Sequence, residues 1–258
     1  MPTYKAKAIV LKSYKLGEAD KIIKMYSKEK GMISAVAKGV RKTKSRFGGR
    51  LELNNIIDIE LHKGKSLDII TQAETLGSFK NIPKDFSRFT YSELISEIVL
   101  KTQDEENADF SSTLFKLIYV TFLNIDRCPE DDIKTLKLIA CFFIARFLRI
   151  TGYLPMLKNC AICYKELDSD AGKGPISFST RYGGLLCSKC IKGSKGATSL
   201  NKTSFRLLKD LLEEKIEDLL DIEVDSSALK RVYKLFEKYL VYHTESRIRC
   251  FDYIRKIS

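Results

Sequence analysis

The sequence predicts an α+β multidomain chain, in which a five-stranded OB-fold barrel is followed by an α-helical domain with an inserted four-cysteine zinc module. Three observations predict this fold class. Short β-patterned runs occupy residues 4–79, a helical period begins after Pro83, and two Cys-x-x-Cys pairs lie between residues 160 and 190. We expect the barrel domain to span residues 1–80 and the helical domain residues 81–258, with the zinc module over residues 156–195.

The charge of the chain is strongly positive and unevenly distributed. The 258 residues include 45 Lys and Arg against 33 Asp and Glu, a formal net charge of +12. Residues 1–80 alone hold 17 Lys and Arg against 8 Asp and Glu. A basic proteome is the general explanation for such a charge, but its concentration in one part of the chain favours a specific phosphate partner. Nucleic acid is the first candidate and an anionic membrane surface the second.

The chain start does not have the pattern of a targeting segment. Residues 1–5 lead into alternating polar and apolar residues rather than an apolar run, so no signal peptide is expected. The longest apolar run, near Leu138 to Ala145, is far shorter than the roughly 20 residues of a membrane-spanning helix. We therefore expect a cytoplasmic protein.

Five short runs of β-branched and apolar residues, separated by turn residues, are predicted to be strands. They are Ala8–Leu11, Lys21–Tyr26, Met32–Ala37, Ile56–Leu61 and Leu67–Thr71. Five strands in about 75 residues match an OB-fold, and the open face of that fold commonly binds single-stranded nucleic acid.

A basic loop, defined here as residues 38–50, follows the third predicted strand. Its six positive side chains are Lys38, Arg41, Lys42, Lys44, Arg46 and Arg50, and no acidic residue occurs between Glu29 and Glu52. The alternative is a solvated charged surface, but six like charges repel one another unless an anion neutralises them. We therefore predict that the basic loop contacts the phosphate backbone of nucleic acid and lies outside the core. The sequence leaves open whether Phe47 stacks on a base or plugs the end of the barrel.

A helical period follows from residue 83 onward. The predicted helices are Phe86–Thr102, Phe110–Ile125, a third from about Pro129 to Ile150, Leu200–Leu220, and a final one that Asp225 caps and that runs to about Ser246. Phe86 is predicted to face the core. The third helix is expected to hold Glu130, Asp131 and Asp132 in its first turn and to be buried from Leu136 to Leu148.

Four cysteines have the spacing of a metal site. Cys160 and Cys163 form one Cys-x-x-Cys pair, Cys187 and Cys190 form the other, and 23 residues separate the pairs. Two thiolates on one tight turn match two corners of a tetrahedral ZnS4 site. Disulfides need an oxidising compartment, and a redox motif favours a single pair at a βα junction. Since four sulfur ligands leave no position for a catalytic water, we predict one structural Zn²⁺ per chain.

Residues suited to catalysis are scarce in this sequence. It has two histidines, His62 and His243, both expected at the surface, and it lacks the P-loop, nucleophile-elbow and zinc-protease motifs. We predict that the chain is not an enzyme and has no catalytic residues. Two alternatives stay open, a zinc-ribbon nuclease or other DNA-processing enzyme, and a zinc-ribbon transcription or ribosome-associated factor.

Several segments of the chain carry a family signature. They are Ala8–Lys12, Gly17–Lys21, Lys30–Gly31, Ala35–Arg46, Arg146–Pro155 leading into Cys160–Cys163, and Phe178 with Gly183–Cys190. Together these segments resemble the RecO family of bacterial recombination mediators, nearly from end to end. One departure is Tyr164, which occupies the position after the second cysteine where the family usually has Gly. The resemblance therefore does not determine the geometry of that turn.

The resemblance implies a function in DNA repair by homologous recombination. Family members bind single- and double-stranded DNA and anneal complementary strands without hydrolysing ATP. They pair with RecR and engage the acidic C-terminal tail of the single-stranded DNA-binding protein, and the outcome is loading of RecA onto coated DNA. Such a protein is cytoplasmic and associates with the nucleoid when it binds DNA.

The resemblance also assigns residues. The DNA-contacting loop of the family maps to Lys38, Arg41, Lys42, Lys44 and Arg46, and its zinc ligands map to Cys160, Cys163, Cys187 and Cys190. It does not place the pocket for the acidic tail. Arg127, Arg146 and Arg149 are candidates, with an ordinary helix-surface role as the alternative.

Overall fold

A computed structural model describes residues 2–104, 108–167, 176–221 and 223–257. The chain divides into two compact units, of which the first combines residues 1–131 with 248–258 and the second comprises residues 132–247. The boundary expected at residue 80 stays a prediction about which parts fold independently. Within the predicted zinc module, residues 168–175 lie outside the described residues.

The first unit begins with a closed barrel of five strands. They are β1 (Thr3–Leu16), β2 (Asp20–Ser27), β3 (Gly31–Ala37), β4 (Ile56–His62) and β5 (Asp68–Gly77), in the order β1-β2-β3-β5-β4 around the barrel. Only β3 and β5 pair in parallel, and β1 closes the barrel because it pairs with both β2 and β4. All five predicted strands and the OB-like barrel are thus confirmed.

Alternating apolar side chains fill the barrel because successive residues of a strand point to opposite faces. On β1 the inward residues are Ala6, Ala8 and Val10, and on β4 they are Ile57, Ile59 and Leu61. Phe47 of the basic loop and Leu51 just after it join the same core. Phe47 is therefore the residue of the basic loop that enters the core, which is one of the two alternatives that the sequence left open for it.

Three α-helices complete the described part of the first unit. They are α1 (Phe86–Thr102), α2 (Ser111–Arg127) and α7 (Cys250–Ile257), the last of which the sequence analysis did not predict. Asp85 caps α1 by accepting the backbone N–H of Arg88 at 2.7 Å. Phe86 is 69% exposed, so its predicted core position is wrong. The reason is helical geometry, because the buried Ile95 lies about two and a half turns further on and hence on the opposite side.

The second unit begins with the buried helix that the sequence predicted. This helix, α3 (Ile133–Ile150), buries most of the stretch from Leu136 to Leu148. Its first turn differs from the prediction, since Asp132 is the N-cap and accepts the N–H of Thr135 at 3.0 Å. Glu130 and Asp131 consequently precede the helix rather than lying in its first turn.

The remaining helices of the second unit correct another prediction. They are α4 (Lys202–Glu213), α5 (Ile216–Leu220) and α6 (Ser226–Thr244), the last capped by Asp225 as expected. A continuous helix over Leu200–Leu220 is wrong, because Glu214 and Lys215 have extended backbones. The last carbonyl groups of α4 accept hydrogen bonds from α3 arginines, which satisfies them without another helical turn.

The segment between α3 and α4 contains a small sheet. Its strands are β6 (Ile176–Ser179), β7 (Gly184–Leu186) and β8 (Thr198–Leu200), in the order β7-β6-β8. Phe178 of β6 is fully buried and packs edge-on against Tyr239 of α6, with 5.7 Å between ring centroids. Across the described residues, no helix combines the length and apolar character that crossing a membrane requires.

Candidate functional site

The first cysteine pair lies on a tight turn that backbone hydrogen bonds close. The N–H of Cys160 donates to the Lys165 carbonyl at 2.8 Å, and the N–H of Tyr164 donates to the Cys160 carbonyl at 2.9 Å. On either side of the turn, Asn159 and Glu166 form an isolated antiparallel bridge. This hairpin holds both sulfurs of the pair on one side of the chain reversal.

The second cysteine pair follows β7 and is brought to the first by a parallel bridge. Met156 and Gly184 form that bridge, and the N–H of Ala161 donates to the Leu185 carbonyl at 2.8 Å. A Cβ on Gly184 would lie 2.4 Å from the Met156 carbonyl oxygen, so only glycine fits. The sequence marked the Gly183-Gly184 turn as the one that presents the second pair, but it missed Met156 as a positioning residue because the partner Gly184 is distant in the sequence.

The four sulfur atoms of the two pairs form one cluster. Those of Cys160, Cys163, Cys187 and Cys190 all lie within 4.8 Å of one another, and Cys163 and Cys187 are 3.8 Å apart. Cys160 is buried, whereas Cys163 is exposed. The structure thus brings together all four predicted ligands in a group that can hold a metal ion.

The protein environment shifts the acidity of these thiols in different directions. Burial raises the pKa of Cys160, but the backbone N–H groups of Cys163, Cys187 and Ile162 outweigh it and lower that pKa to about 6. The pKa of Cys190 is raised to about 12, chiefly by its hydrogen bond with the Cys187 sulfur. The neighbouring sulfurs therefore favour the protonated form of Cys190, and a metal ion bound by the four cysteines would favour its thiolate form.

Tyr164 keeps the geometry of the first turn although it is not glycine. Its backbone φ is +59°, in the left-handed region that residues other than Gly, Asn and Asp rarely adopt. The side chain is 69% exposed, so it meets no core packing. The departure from the family pattern leaves the cysteine cluster intact and places backbone strain at Tyr164.

The basic loop is a series of hydrogen-bonded turns attached to the barrel. The N–H of Gly39 donates to the Asp20 carboxylate at 2.7 Å, and the N–H of Arg41 donates to the Ala19 carbonyl at 2.9 Å. At the other end, the Asn55 amide donates to the carbonyls of Gly49 and Arg50. The turn between β1 and β2 therefore holds the start of the loop, and Asn55 holds its end.

Phe47 fixes the middle of the loop and settles the alternative that the sequence left open. The ring is 1% exposed and belongs to the barrel core. It plugs the barrel and does not offer a face to a base.

The six predicted DNA-binding side chains all point to solvent. Lys38, Arg41, Lys42, Lys44, Arg46 and Arg50 are each exposed. Arg41 and Arg50 donate only to backbone carbonyls, at Gly17 and at Arg46 and Phe47. Among the described residues, none of the six forms an ion pair with a carboxylate. The loop is thus a surface of uncompensated positive charge.

Two of the three arginine candidates for the acidic-tail pocket have a structural role. Arg146 donates to the carbonyls of Leu212, at 2.6 Å, and of Glu214, and Arg149 donates to the Leu212 carbonyl. Burial lowers the pKa of Arg146, and the adjacent Arg149 charge lowers it further. Arg127 is exposed in the last turn of α2. The position of the tail pocket stays a prediction.

Two family models together match almost all of the chain. The model described as "Recombination protein O N terminal" matches residues 1–79, and "Recombination protein O C terminal" matches residues 83–249. The first match corresponds to the barrel that carries the basic loop. The second includes all four cysteines.

Three curated relatives match over nearly their whole lengths. A DNA repair protein RecO of Frankia casuarinae is 33% identical over 258 residues, which cover 99% of this chain and 100% of the relative. The RecO protein of Acetivibrio thermocellus is 30% identical over 258 residues, with 98% and 96% covered. The RecO protein of Caldanaerobacter subterraneus is 29% identical over 254 residues, with 98% of each chain covered.

Proposed function

The chain belongs to the RecO family of DNA repair proteins, and on that premise we propose that it is a non-enzymatic recombination mediator. It binds single- and double-stranded DNA and anneals complementary single strands. Together with RecR, and through the acidic C-terminal tail of the single-stranded DNA-binding protein, it helps to load RecA onto coated DNA. The setting is DNA repair by homologous recombination.

The observation that carries the proposal is the basic loop, whose six cationic side chains are exposed and pair with no carboxylate of the described ranges. Lys and Arg side chains that neutralise phosphates release condensed counterions, which favours binding to any sequence. Annealing requires that two polyanions approach while their bases stay free to pair. Contacts to the phosphate backbone meet this requirement, and the buried Phe47 leaves the bases of a strand on the loop uncovered.

We further propose that Cys160, Cys163, Cys187 and Cys190 hold one structural Zn²⁺. A tetrahedral site with Zn–S bonds of about 2.3 Å has sulfur–sulfur edges of about 3.8 Å. The Cys163–Cys187 distance of 3.8 Å and the 4.8 Å limit for the whole group fit that size. Bound zinc would join the hairpin before β6 to the turn after β7 and stabilise the second unit.

The test is annealing of complementary oligonucleotides that are coated with single-stranded DNA-binding protein, in parallel with the same protein lacking its C-terminal tail. Fast annealing with the intact protein and slow annealing with the tailless form are expected. Intact DNA binding without annealing would overturn the mediator proposal.

A double charge reversal, Lys42→Glu with Lys44→Glu, tests the role of the basic loop in the same assay. DNA binding and annealing should fall together while the fold persists, because both side chains are exposed. The matched control is Lys230→Glu with Lys234→Glu, an equal charge change on the exposed face of α6. Equal losses in the two double variants would mean that overall charge, and not the loop, drives binding.

A further inference from the structure

Three exposed tyrosines of the second unit, Tyr153, Tyr182 and Tyr242, lie on segments that contact His243, and they are called the tyrosine platform here. Tyr153, Tyr182 and Tyr242 are 41%, 41% and 51% exposed. The ring centroids of Tyr153 and Tyr242 lie 5.9 Å and 5.1 Å from that of His243. Tyr182 belongs to the turn between β6 and β7, which packs against the same histidine. Neither the cysteine cluster nor the basic loop uses these side chains.

The platform is held in place by contacts beneath it. The Nε2 atom of His243 lies 2.9 Å from the Thr180 carbonyl oxygen, and the His243 ring lies 4.2 Å from the ring of Tyr239. A Cβ built on Gly183 would lie 3.4 Å from the Tyr239 hydroxyl, so the turn approaches α6 closely. His243 was predicted to be a surface histidine. It is half-buried and contacts the turn that carries Tyr182 through the Thr180 carbonyl oxygen, so α6 and this turn lie side by side under the platform.

Cations lie beside two of the platform tyrosines, Arg181 at Tyr182 and Lys238 at Tyr242. The segment 176–200, which carries Tyr182, contains four exposed basic side chains, Arg181, Lys189, Lys192 and Lys195, and no Asp or Glu. The guanidinium carbon of Arg181 lies 5.7 Å from the centroid of the Tyr182 ring. Beside the platform is an open cavity of about 430 Å³, which Tyr242, Val241 and Lys238 line together with the acidic Glu237. The platform thus combines exposed aromatic rings, the neighbouring cations Arg181 and Lys238, and room for a planar group.

We propose that the tyrosine platform is a second DNA-binding site of this chain and that it stacks the unpaired bases of single-stranded DNA. Aromatic side chains flanked by Lys and Arg are the usual means by which proteins hold single strands without sequence preference. Since the bases of a duplex are stacked on one another, their faces are closed to such contacts. A docking site for another protein is the competing use of this surface.

This second site rests on the proposed function, because it assumes that the chain binds DNA. It separates two contributions to DNA affinity, phosphate contacts at the basic loop and base stacking at the platform. Phosphate contacts of the basic loop carry little information about whether a strand is paired. Stacking on the platform requires an unpaired base. In this proposal the platform adds affinity for single strands alone, and the basic loop adds affinity for both forms.

The experiment compares affinities of the full chain for labelled oligo(dT) and for a duplex of equal length at one salt concentration. In the triple variant Tyr153→Ala, Tyr182→Ala and Tyr242→Ala, we expect single-strand affinity to fall at least about tenfold, since each stacked base contributes that order of affinity. Duplex affinity should change less than about twofold. An unchanged single-strand affinity, or equal losses for both forms, would overturn the inference and favour a protein partner.

Controls separate stacking from folding and from the loop. The matching triple Tyr→Phe variant keeps the rings and should keep single-strand affinity. Tyr253→Ala is the control for loss of an exposed tyrosine elsewhere, because it removes a side chain of α7 that is 59% exposed. Lys42→Glu with Lys44→Glu should weaken single-strand and duplex binding alike, so that the loop and the platform can fail independently. If the triple alanine variant does not fold, photocrosslinking of a 5-iodouracil oligonucleotide to the unmodified chain tests whether the platform contacts bases. Crosslinks at residues 153, 182 or 242 are expected, and their absence contradicts the proposal.

Discussion

The guanidinium carbon of Arg46 lies 4.9 Å from the centroid of the Phe47 ring, although the two side chains have opposite environments. Phe47 is 1% exposed in the barrel core, whereas Arg46 is exposed. The aromatic side chain anchors the basic loop to the barrel, and the neighbouring cation stays at the surface. Anchoring the loop and binding DNA are therefore expected to depend on different residues.

Phe47→Ala should destabilise the barrel by about 3–5 kcal/mol, because it removes a large buried ring and leaves a cavity. Urea unfolding of the full chain measures the change. The control is Phe86→Ala, which removes the same ring from a position that is 69% exposed and should alter stability by less than about 0.5 kcal/mol. Similar stability for both variants would contradict the placement of Phe47 in the core.

Salt dependence measures how many cations of the basic loop meet phosphates. If about five do so, the log–log slope of single-strand affinity against salt should be near −3.5, since each contact contributes about −0.7. Lys42→Ala with Lys44→Ala should reduce its magnitude by about 1.4. Fluorescence anisotropy of labelled oligo(dT) over a salt series gives both values. An unchanged slope in the variant would exclude both lysines from the DNA contact.

Tyr164→Gly should stabilise the protein by about 0.5–1 kcal/mol. Glycine relieves the left-handed backbone strain at φ +59°, a larger gain than the entropy that it adds to the unfolded chain. Little packing is lost because the side chain is 69% exposed. Thermal unfolding with bound metal tests this. In contrast, Lys165→Gly at the next position, where φ is not positive, should destabilise by a similar amount.

Removing one cysteine of the cluster should abolish metal binding. We expect about one zinc per purified chain, and nearly none in Cys163→Ser, whose exposed side chain contributes little to packing. Elemental analysis and faster tryptic cleavage between residues 156 and 195 would report the loss. Cys250→Ser, outside the cluster, should keep its zinc. Full zinc content in Cys163→Ser would refute the four-ligand assignment.

Glu97 holds α7 through two backbone hydrogen bonds. Its carboxylate accepts the N–H groups of Arg249 at 3.0 Å and of Cys250 at 2.8 Å. Burial raises the pKa of Glu97, but these bonds outweigh it, so the pKa lies below the ordinary 4.5. The carboxylate therefore stabilises the fold above pH 4.5, and this contribution is lost as the pH falls through the lowered pKa.

Glu97→Gln should accordingly cost about 1–3 kcal/mol at pH 7, and the difference from the parent should shrink below pH 4.5. Urea unfolding at a series of pH values is the measurement. Glu74→Gln, the same change at an exposed position of β5, should leave the pH dependence unaltered. If the free energies of unfolding of Glu97→Gln and of the parent differed by the same amount at pH 7 and below pH 4.5, the charge of Glu97 would have no part in holding α7.

The sequence by itself determined the features that repeat locally along the chain. Short runs of β-branched and apolar residues between turn residues identified the five strands, and the apolar run of α3 identified a buried helix. The spacing of Cys160, Cys163, Cys187 and Cys190 identified a metal cluster, because each pair is a property of one short turn. Composition alone marked the basic loop as a positively charged surface, and its six cationic side chains are exposed.

Only the tertiary structure decided what depends on partners distant in the sequence. Phe47 faces the barrel because strands on both sides of the loop create an apolar cavity for it. The predicted helix after Leu200 breaks where Arg146 and Arg149 take up its last carbonyls, and α7 begins where Glu97 receives its first N–H groups. The tyrosine platform likewise comes from separate segments that contact one histidine. A local pattern records the preference of a few neighbouring residues, and such long-range contacts override it when they satisfy buried polar groups or fill apolar space.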